Sequence, residues 1–236
     1  MCVIKNNAAY SDYDRFYLDS NDVAEEEYKK HCKGFNKKLS PLLSGRKNKK
    51  VLDLGCGCGF LAYFLKREGF KDVTCIDLNE KLIEIAKSRV DVEFIVADGI
   101  EYLKQHSLKY DIIFLWNVFE HISKKQMIDS LRVLHKSLSD NGFMVIRTPN
   151  MSNLMSQGHF CDDFTHRTGF TEQSIEQVAR QAGFSRIEML NQFRMQNLKG
   201  KLKSIISAML HKFLLWLRGG TKCKVFYRNL YAVLYK

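Results

Sequence analysis

The sequence predicts an α/β protein built on a doubly wound, Rossmann-like seven-stranded sheet, mostly parallel with its last strand antiparallel. Three observations carry that prediction. Short apolar runs rich in β-branched residues alternate with charged, helix-patterned segments from residue 51 to residue 190. The runs are apolar throughout rather than at every second position, as in strands covered on both faces. A final run, NLYAVLY (229–235), has no room for a crossover helix after it and therefore suits antiparallel entry.

The elements follow in order. Residues 20–46 read as a helix, with Leu39, Leu42 and Leu43 closing it before Gly45. VLDL (51–54) is the first strand, 58–68 a helix ending at Gly69, and VTCIDL (73–78) the second strand. A helix over 80–89, the strand VEFIVAD (92–98) and a short helix over 99–105 come next. YDIIFLWN (110–117) is the most apolar strand, and a helix over 124–138 leads through the turn Asp140-Asn141-Gly142 to FMVIRT (143–148). Residues 149–170 form a polar loop, 171–182 a helix opening Thr-Glu-Gln-Ser, and 184–190 the sixth strand. LKSIISAMLHKFLLWLRGG (202–220) is a basic amphipathic helix between strands six and seven, stopped by Gly219-Gly220.

A chain of 236 residues suits one domain. It divides into a helical cap (1–48), a core (49–190) whose 148–170 segment is a substrate loop, and a basic helix with the last strand (191–236). The N-terminus turns polar after four residues, so no signal peptide is expected, and no stretch of about 18 uncharged apolar residues predicts a span. Seven cysteines without paired spacing read as thiols in a reducing cytoplasm. The net charge of +11 is unevenly placed. After Glu188 there is no Asp or Glu, but there are ten Lys and Arg, which leaves the other 188 residues at +1. Such a tail suits an anionic partner, whether phosphate, lipid surface or nucleic acid, or else a solvated helix face.

The first strand runs into VLDLGCGCGF (51–60). A dinucleotide loop needs GxGxxG, and here the glycines are 55, 57 and 59, with Asp53 inside the strand end. A carboxylate there repels a pyrophosphate and suits an ammonium group. Asp77, closing the second strand, is placed for ribose hydroxyls, and Asp98, closing the third, for an adenine amino group or as a helix cap. These acids describe a ligand with an amine, a ribose and a purine, and no phosphate.

On these residues the sequence resembles the class I S-adenosylmethionine-dependent methyltransferases over about residues 49–190. VLDLGCGCG looks like their glycine motif, CIDLN (75–79) like their ribose-binding strand end, VADG (96–99) like their adenine site, and LWNVFEHI (115–122) like the segment under the methyl group. The resemblance implies S-adenosyl-L-methionine as cofactor, held by Asp53, Gly55, Cys56, Gly57, Asp77, Leu78, Asp98, Gly99 and Asn117. Within the loop after strand five, PN (149–150) and DFTH (163–166), with the later FTEQSIEQVARQAGF (170–184), resemble the methyltransferases of bacterial polysaccharide and O-antigen biosynthesis. That likeness implies a sugar or glycan acceptor, polyprenyl-linked glycans included, and an O-methyl transfer assisted by His121 or His166 as base, with Asp163 orienting it.

Small-RNA 2′-O-methyltransferases and lipid-quinone methyltransferases share the Glu-His segment, here Glu120 and His121. In the first group a later His, here matched by His166, helps hold a divalent metal. Asn117 stands where those enzymes have a further Glu, so the metal-free version is preferred, with Glu120, His121 and His166 as the ligand set otherwise. The acceptor is then a glycan, with RNA or a quinone as alternatives. The enzyme is expected in the cytoplasm, with residues 202–220 free to touch the inner face of the membrane. Tyr10, Tyr13, Phe16 and Tyr17 are candidates for an aromatic lid over the sulfonium or, equally, for a packed arm.

Overall fold

The computed structural model describes residues 24–153, 156–190, 198–217, 219 and 225–236; the aromatic residues at 10–17 lie outside them. In chain order the elements are α1 (Glu25–Leu43), β1 (Lys50–Leu54), α2 (Phe60–Arg67), β2 (Asp72–Asp77), α3 (Glu80–Arg89), β3 (Glu93–Val96), α4 (Gly99–Gln105) and β4 (Tyr110–Trp116). A 3-10 turn (Phe119–His121) follows, then α5 (Lys124–Ser137), β5 (Leu138–Pro149), α6 (Ser156–Cys161), α7 (Glu172–Ala182), β6 (Arg186–Met189), α8 (Leu198–Leu217) and β7 (Asn229–Tyr235).

One sheet takes the order β3-β2-β1-β4-β5-β7-β6. β7 runs antiparallel to both of its neighbours, and the remaining pairs are parallel. The two halves of the sheet wind outward from β1 and β4, so the crevice between the carboxyl ends of those strands is the topological switch point. Alternation along the strands builds two cores. Leu52, Ile113, Leu115, Met144 and Ile146 face α5 and α7, while Val51, Ile112, Phe114 and Val145 face α1 and α2. Truncating a fully buried Phe114 to Ala would cost about 3–5 kcal/mol on this account.

Several boundaries differ from the sequence expectation, and three bear on the site or the sheet. β2 stops at Asp77 and β3 at Val96, so Leu78 and Asp98 sit just beyond the sheet. β5 starts directly after α5 and absorbs the expected Asp140-Asn141-Gly142 turn. Tyr110 pairs with Leu138 but Ile112 pairs with Phe143, so residues 139–142 are taken up as a bulge and the ladder continues past them. The 148–170 loop holds the short helix α6 and a bridge from Asn150 to Phe170.

α1 explains part of the N-terminal cap. Its first turn carries Glu25, Glu26 and Glu27, the charge a helix N-terminus favours. Its buried Tyr28 donates to the Cys58 carbonyl at 2.6 Å and packs on Phe60 and Tyr63, and His31 stacks on Phe60 at 4.1 Å. The helix thus clamps the glycine turn from outside. No described helix is long and apolar enough to cross a membrane. The described cysteines, 32, 56, 58, 75 and 161, are free thiols.

Candidate active site

The turn after β1 uses its three glycines for three different purposes. Gly55 has φ +75°, and a Cβ there would fall 2.3 Å from Val118 Cγ2, so the turn after β1 lies tight against the turn after β4. Gly59 has φ +76°, and a Cβ there would press on Ala86 of α3 at 2.9 Å. Gly57, at φ +52°, has nothing among the described residues within 4 Å of an added Cβ. Open space therefore lies over the middle of the turn, and the backbone is bare towards it.

Asp53 is 1% exposed, and neither carboxylate oxygen finds a hydrogen-bond partner among the described residues. Burial, with the charge of Asp77 added, pushes its carboxyl up to about 8. An unpartnered carboxylate at the end of a central strand is costly in isolation and would be matched by a bound ammonium group. Asp77 accepts from Gly57 N at 2.8 Å and Asn79 N at 2.9 Å, which ties the second strand end to the glycine turn. Burial also raises its carboxyl, against the pull of those backbone donors. Beside it, Leu78 (37% exposed) and Val96 (45%) present apolar side chains at the ends of adjacent strands.

The other expected cofactor residues separate by role. Cys56 turns its thiol into the core against Cys75, donates its N–H to Ile76 O and accepts from Gly59 N, so it shapes the turn. Asp98 caps α4, accepting from Ile100 N at 3.0 Å and Glu101 N at 3.1 Å. A Cβ on Gly99 would meet Leu54 Cγ at 2.8 Å, which is a packing reason for that glycine. Asn117, exposed after β4, holds φ +58°, a left-handed conformation that Asn tolerates, and its side chain accepts from Arg147 Nη1. Arg147 lies over the Trp116 ring and donates to Tyr231 Oη, and sequence reasoning did not single it out.

The turn after β4 and the loop after β5 meet in one cluster. The Glu120 carbonyl accepts from Arg167 N at 2.9 Å and Thr168 N at 3.0 Å, and Thr168 Oγ1 donates to Ile122 O. That stitching brings His121 and His166 to a ring separation of 4.8 Å. His166 Nδ1 lies 2.7 Å from the Phe160 carbonyl, which can only accept, so Nδ1 carries the proton. Its Nε2 faces Asp163 at 3.7 Å and Glu120 at 3.9 Å.

Thr165 joins the remaining pair. Its hydroxyl donates to Asp163 Oδ1 at 2.6 Å and lies 2.9 Å from His121 Nδ1. The single hydroxyl proton goes to the carboxylate, so His121 Nδ1 donates to Thr165 and Nε2 bears the lone pair. Burial first, then the neighbouring His166, pushes His121 down to about 4, so its imidazole is neutral at ordinary pH. Burial works against the charge of Asp163, but the two bonds from Thr165 and the nearby histidines hold it below the usual carboxylate range. Glu120 is 1% exposed, its Oε2 has no hydrogen-bond partner among the described residues, and burial pushes it up to about 7. One ligand atom from each of Glu120, His121 and His166 lies within 4.8 Å of the others, close enough to converge on a cation. Thr165 was missed in the sequence, where nothing distinguishes it from its neighbours.

A doubly wound sheet with a bare glycine turn, a buried carboxylate at the switch point and a histidine cluster opposite is the arrangement expected of an S-adenosylmethionine-dependent methyltransferase. A family model described as a methyltransferase domain matches residues 25–188, and the chain belongs to that family.

Among curated relatives, the ubiquinone biosynthesis O-methyltransferase of Salmonella paratyphi A is 34% identical over 85 residues, covering 34% of this chain and 35% of that protein. The protein of that name from Salmonella typhimurium matches to the same extent. The chain thus spans about a third of the length of the curated relatives it matches. Among solved structures, a SAM-dependent methyltransferase from Archaeoglobus fulgidus superposes with a TM-score of 0.68 at 21% identity, over 94% of this chain and 99% of that one. The plantazolicin methyltransferase BpumL, solved with SAH, gives 0.61 at 23% identity, over 97% and 92%. At these identities the superpositions speak for the fold.

Proposed function

We propose that the chain is an O-methyltransferase whose acceptor is an aromatic hydroxyl on a quinol-type or similar small molecule. The observation that carries this reading is His121, kept neutral and fixed in one tautomer by the Asp163–Thr165 relay at the carboxyl end of β4. An imidazole with a pKa of about 4 is a weak base. It matches a phenol, with a pKa of about 10, better than a sugar hydroxyl several units less acidic.

The residues present fit S-adenosylmethionine. Asp53 would hold its ammonium group, Gly55 and Gly57 would lie along the methionine part, and Asp77 would take the ribose hydroxyls, with Leu78, Val96 and the capped Asp98 around the adenine. When bound, the cofactor would supply a methyl carbon on a sulfonium whose sulfur would keep the C–S electron pair. His121 Nε2 would take the acceptor's proton, leaving the acceptor oxygen free to bond to that carbon. The stitched loop holds the acceptor in line, which accounts for much of the rate.

Two further features support an apolar acceptor. Phe164, 94% exposed, stands between Asp163 and Thr165. The curated relatives carry a quinone-pathway name. The glycan acceptor expected from the 148–171 loop rests on that loop's sequence likeness alone.

A second reading keeps the sugar hydroxyl and adds a divalent cation on Glu120, His121 and His166 to acidify it. Purified protein with labelled methyl donor would be offered catechol-type phenols and nucleotide sugars, with and without chelator. Chelator-resistant transfer to the phenol is the expected result. Transfer to sugars alone, lost in chelator, would replace the first reading with the second.

A further inference from the structure

α8 is built inside out. At about 100° per residue, Gly200, Ser204, Ser207 and His211 fall on one face, and His211 on that face is 2% exposed. The opposite sector carries Leu202 (59% exposed), Ile206 (59%), Met209 (66%), Phe213 (54%) and Trp216 (71%). A surface helix in water has the reverse arrangement, with apolar residues in and polar ones out. A contiguous apolar face of this length marks an interaction surface.

The charge pattern selects the occupant. Lys203 and Lys212, both exposed, fall on the two opposite borders of the apolar sector at about 100° per residue. Lysines so placed extend their stems along apolar surface and lift the ammonium to a headgroup layer. The sequence beyond Glu188 has ten Lys and Arg and no Asp or Glu. A second copy docked on this face would set two such tails against each other. A nucleic acid would meet the charge and leave the apolar residues in water. An anionic bilayer satisfies both, and Trp216 near the end of the helix is the residue type favoured at that depth.

We infer that α8 is an interfacial helix that seats the protein on an anionic lipid surface, apolar sector in the acyl boundary and Lys203 and Lys212 at the phosphates. The seat is coupled to the loop that leads to His166. Asn150 Nδ2 donates to Val225 O and Tyr227 O, Asn153 Nδ2 to Phe226 O, and Ser156 Oγ to Arg228 O, so the chain returning from α8 is fastened to the segment after β5.

The test needs no turnover and is independent of the acceptor. Full-length protein would be sedimented with vesicles of phosphatidylcholine alone and of phosphatidylcholine mixed with phosphatidylglycerol, across a salt series, alongside light scattering for oligomeric state. Binding to the mixed vesicles should exceed binding to neutral ones about tenfold and weaken with salt. A blue shift of tryptophan emission should accompany it and vanish in Trp216→Phe. Ile206→Glu with Met209→Glu, both on the solvent side, should cut vesicle binding about tenfold with an unchanged circular dichroism spectrum. The proposal is overturned if this double variant binds vesicles like the parent. It is equally overturned by a dimer that the double variant splits, or by RNA binding without vesicle binding.

Discussion

Thr165 Oγ1 lies 2.9 Å from His121 Nδ1, a contact across 44 residues of sequence that fixes which imidazole nitrogen can accept a proton. Thr165 acts through His121 and is a positioning residue. Thr165→Val should lower kcat about 10–100-fold with the KM for cofactor unchanged, the range seen when a partner behind a functional histidine is lost. Thr165→Ser keeps the hydroxyl and should restore most of the rate. Equal losses in the two variants would reduce the contact to packing.

Asp53 predicts opposite changes in stability and binding. Asp53→Asn removes a buried group that must either ionise without a partner or stay protonated, and should raise stability at neutral pH by about 1–2 kcal/mol. The same change should weaken adenosylhomocysteine binding about 10–100-fold, since a charge-assisted bond to the ammonium is lost. Melting curves and calorimetry on one preparation check both. A variant that melts lower and binds normally contradicts the assignment.

The glycine turn separates folding from binding. Gly55→Ala meets Val118 Cγ2 at 2.3 Å in a left-handed conformation, and should lose about 2 kcal/mol or more of stability. Gly57→Ala meets nothing among the described residues within 4 Å, so its stability cost should be nearer 1 kcal/mol. Its methyl group enters the open space, however, and cofactor affinity should drop more for Gly57→Ala than the stability does.

The pH dependence of stability follows from the sign of the His121 shift. Its folded pKa of about 4 lies below the ordinary 6.5, so between those values the unfolded chain binds the proton and the folded one does not. Stability should therefore decline as pH falls from 6.5 to 4, by about 1–3 kcal/mol from this group, with no further loss from it below 4. Glu120, raised from 4.5 to about 7, works in the other direction, since its folded state holds the proton longer and loses stability as pH rises through that range. Melting temperatures of His121→Asn and Glu120→Gln across pH 4–8 should each flatten one of the two slopes.

The fold was legible because burial on both sheet faces forces long apolar runs, and YDIIFLWN has no other use. The Asp140-Asn141-Gly142 turn misled because its residues have turn chemistry, while the ladder from Tyr110 to Phe114 continues around them. The acids at the strand ends could be picked out since a charge there demands a partner, although Asp98 spends its bonds on a helix cap. The two histidines were visible as residue types, but their mutual geometry comes from backbone bonds between the Glu120 carbonyl and residues 167 and 168. Backbone bonds leave no sequence trace. Tyr28 and Thr165 were hidden for a related reason, each being an ordinary residue whose partner lies 30 or 44 positions away.

Among the described strands, β7 is threaded between β5 and β6 and joins them. On a translating ribosome, residues 186–189 emerge about forty positions before the strand that must accept them, with all of α8 in between. Until residues 229–235 arrive, the nascent sheet carries an open rim on β5 and an orphaned β6, the kind of exposed edge that chaperones cover. Strands β3, β2, β1 and β4 pair with one another and with β5 and make no ladder with that late segment, so their pairing can be complete before the far half of the sheet is closed.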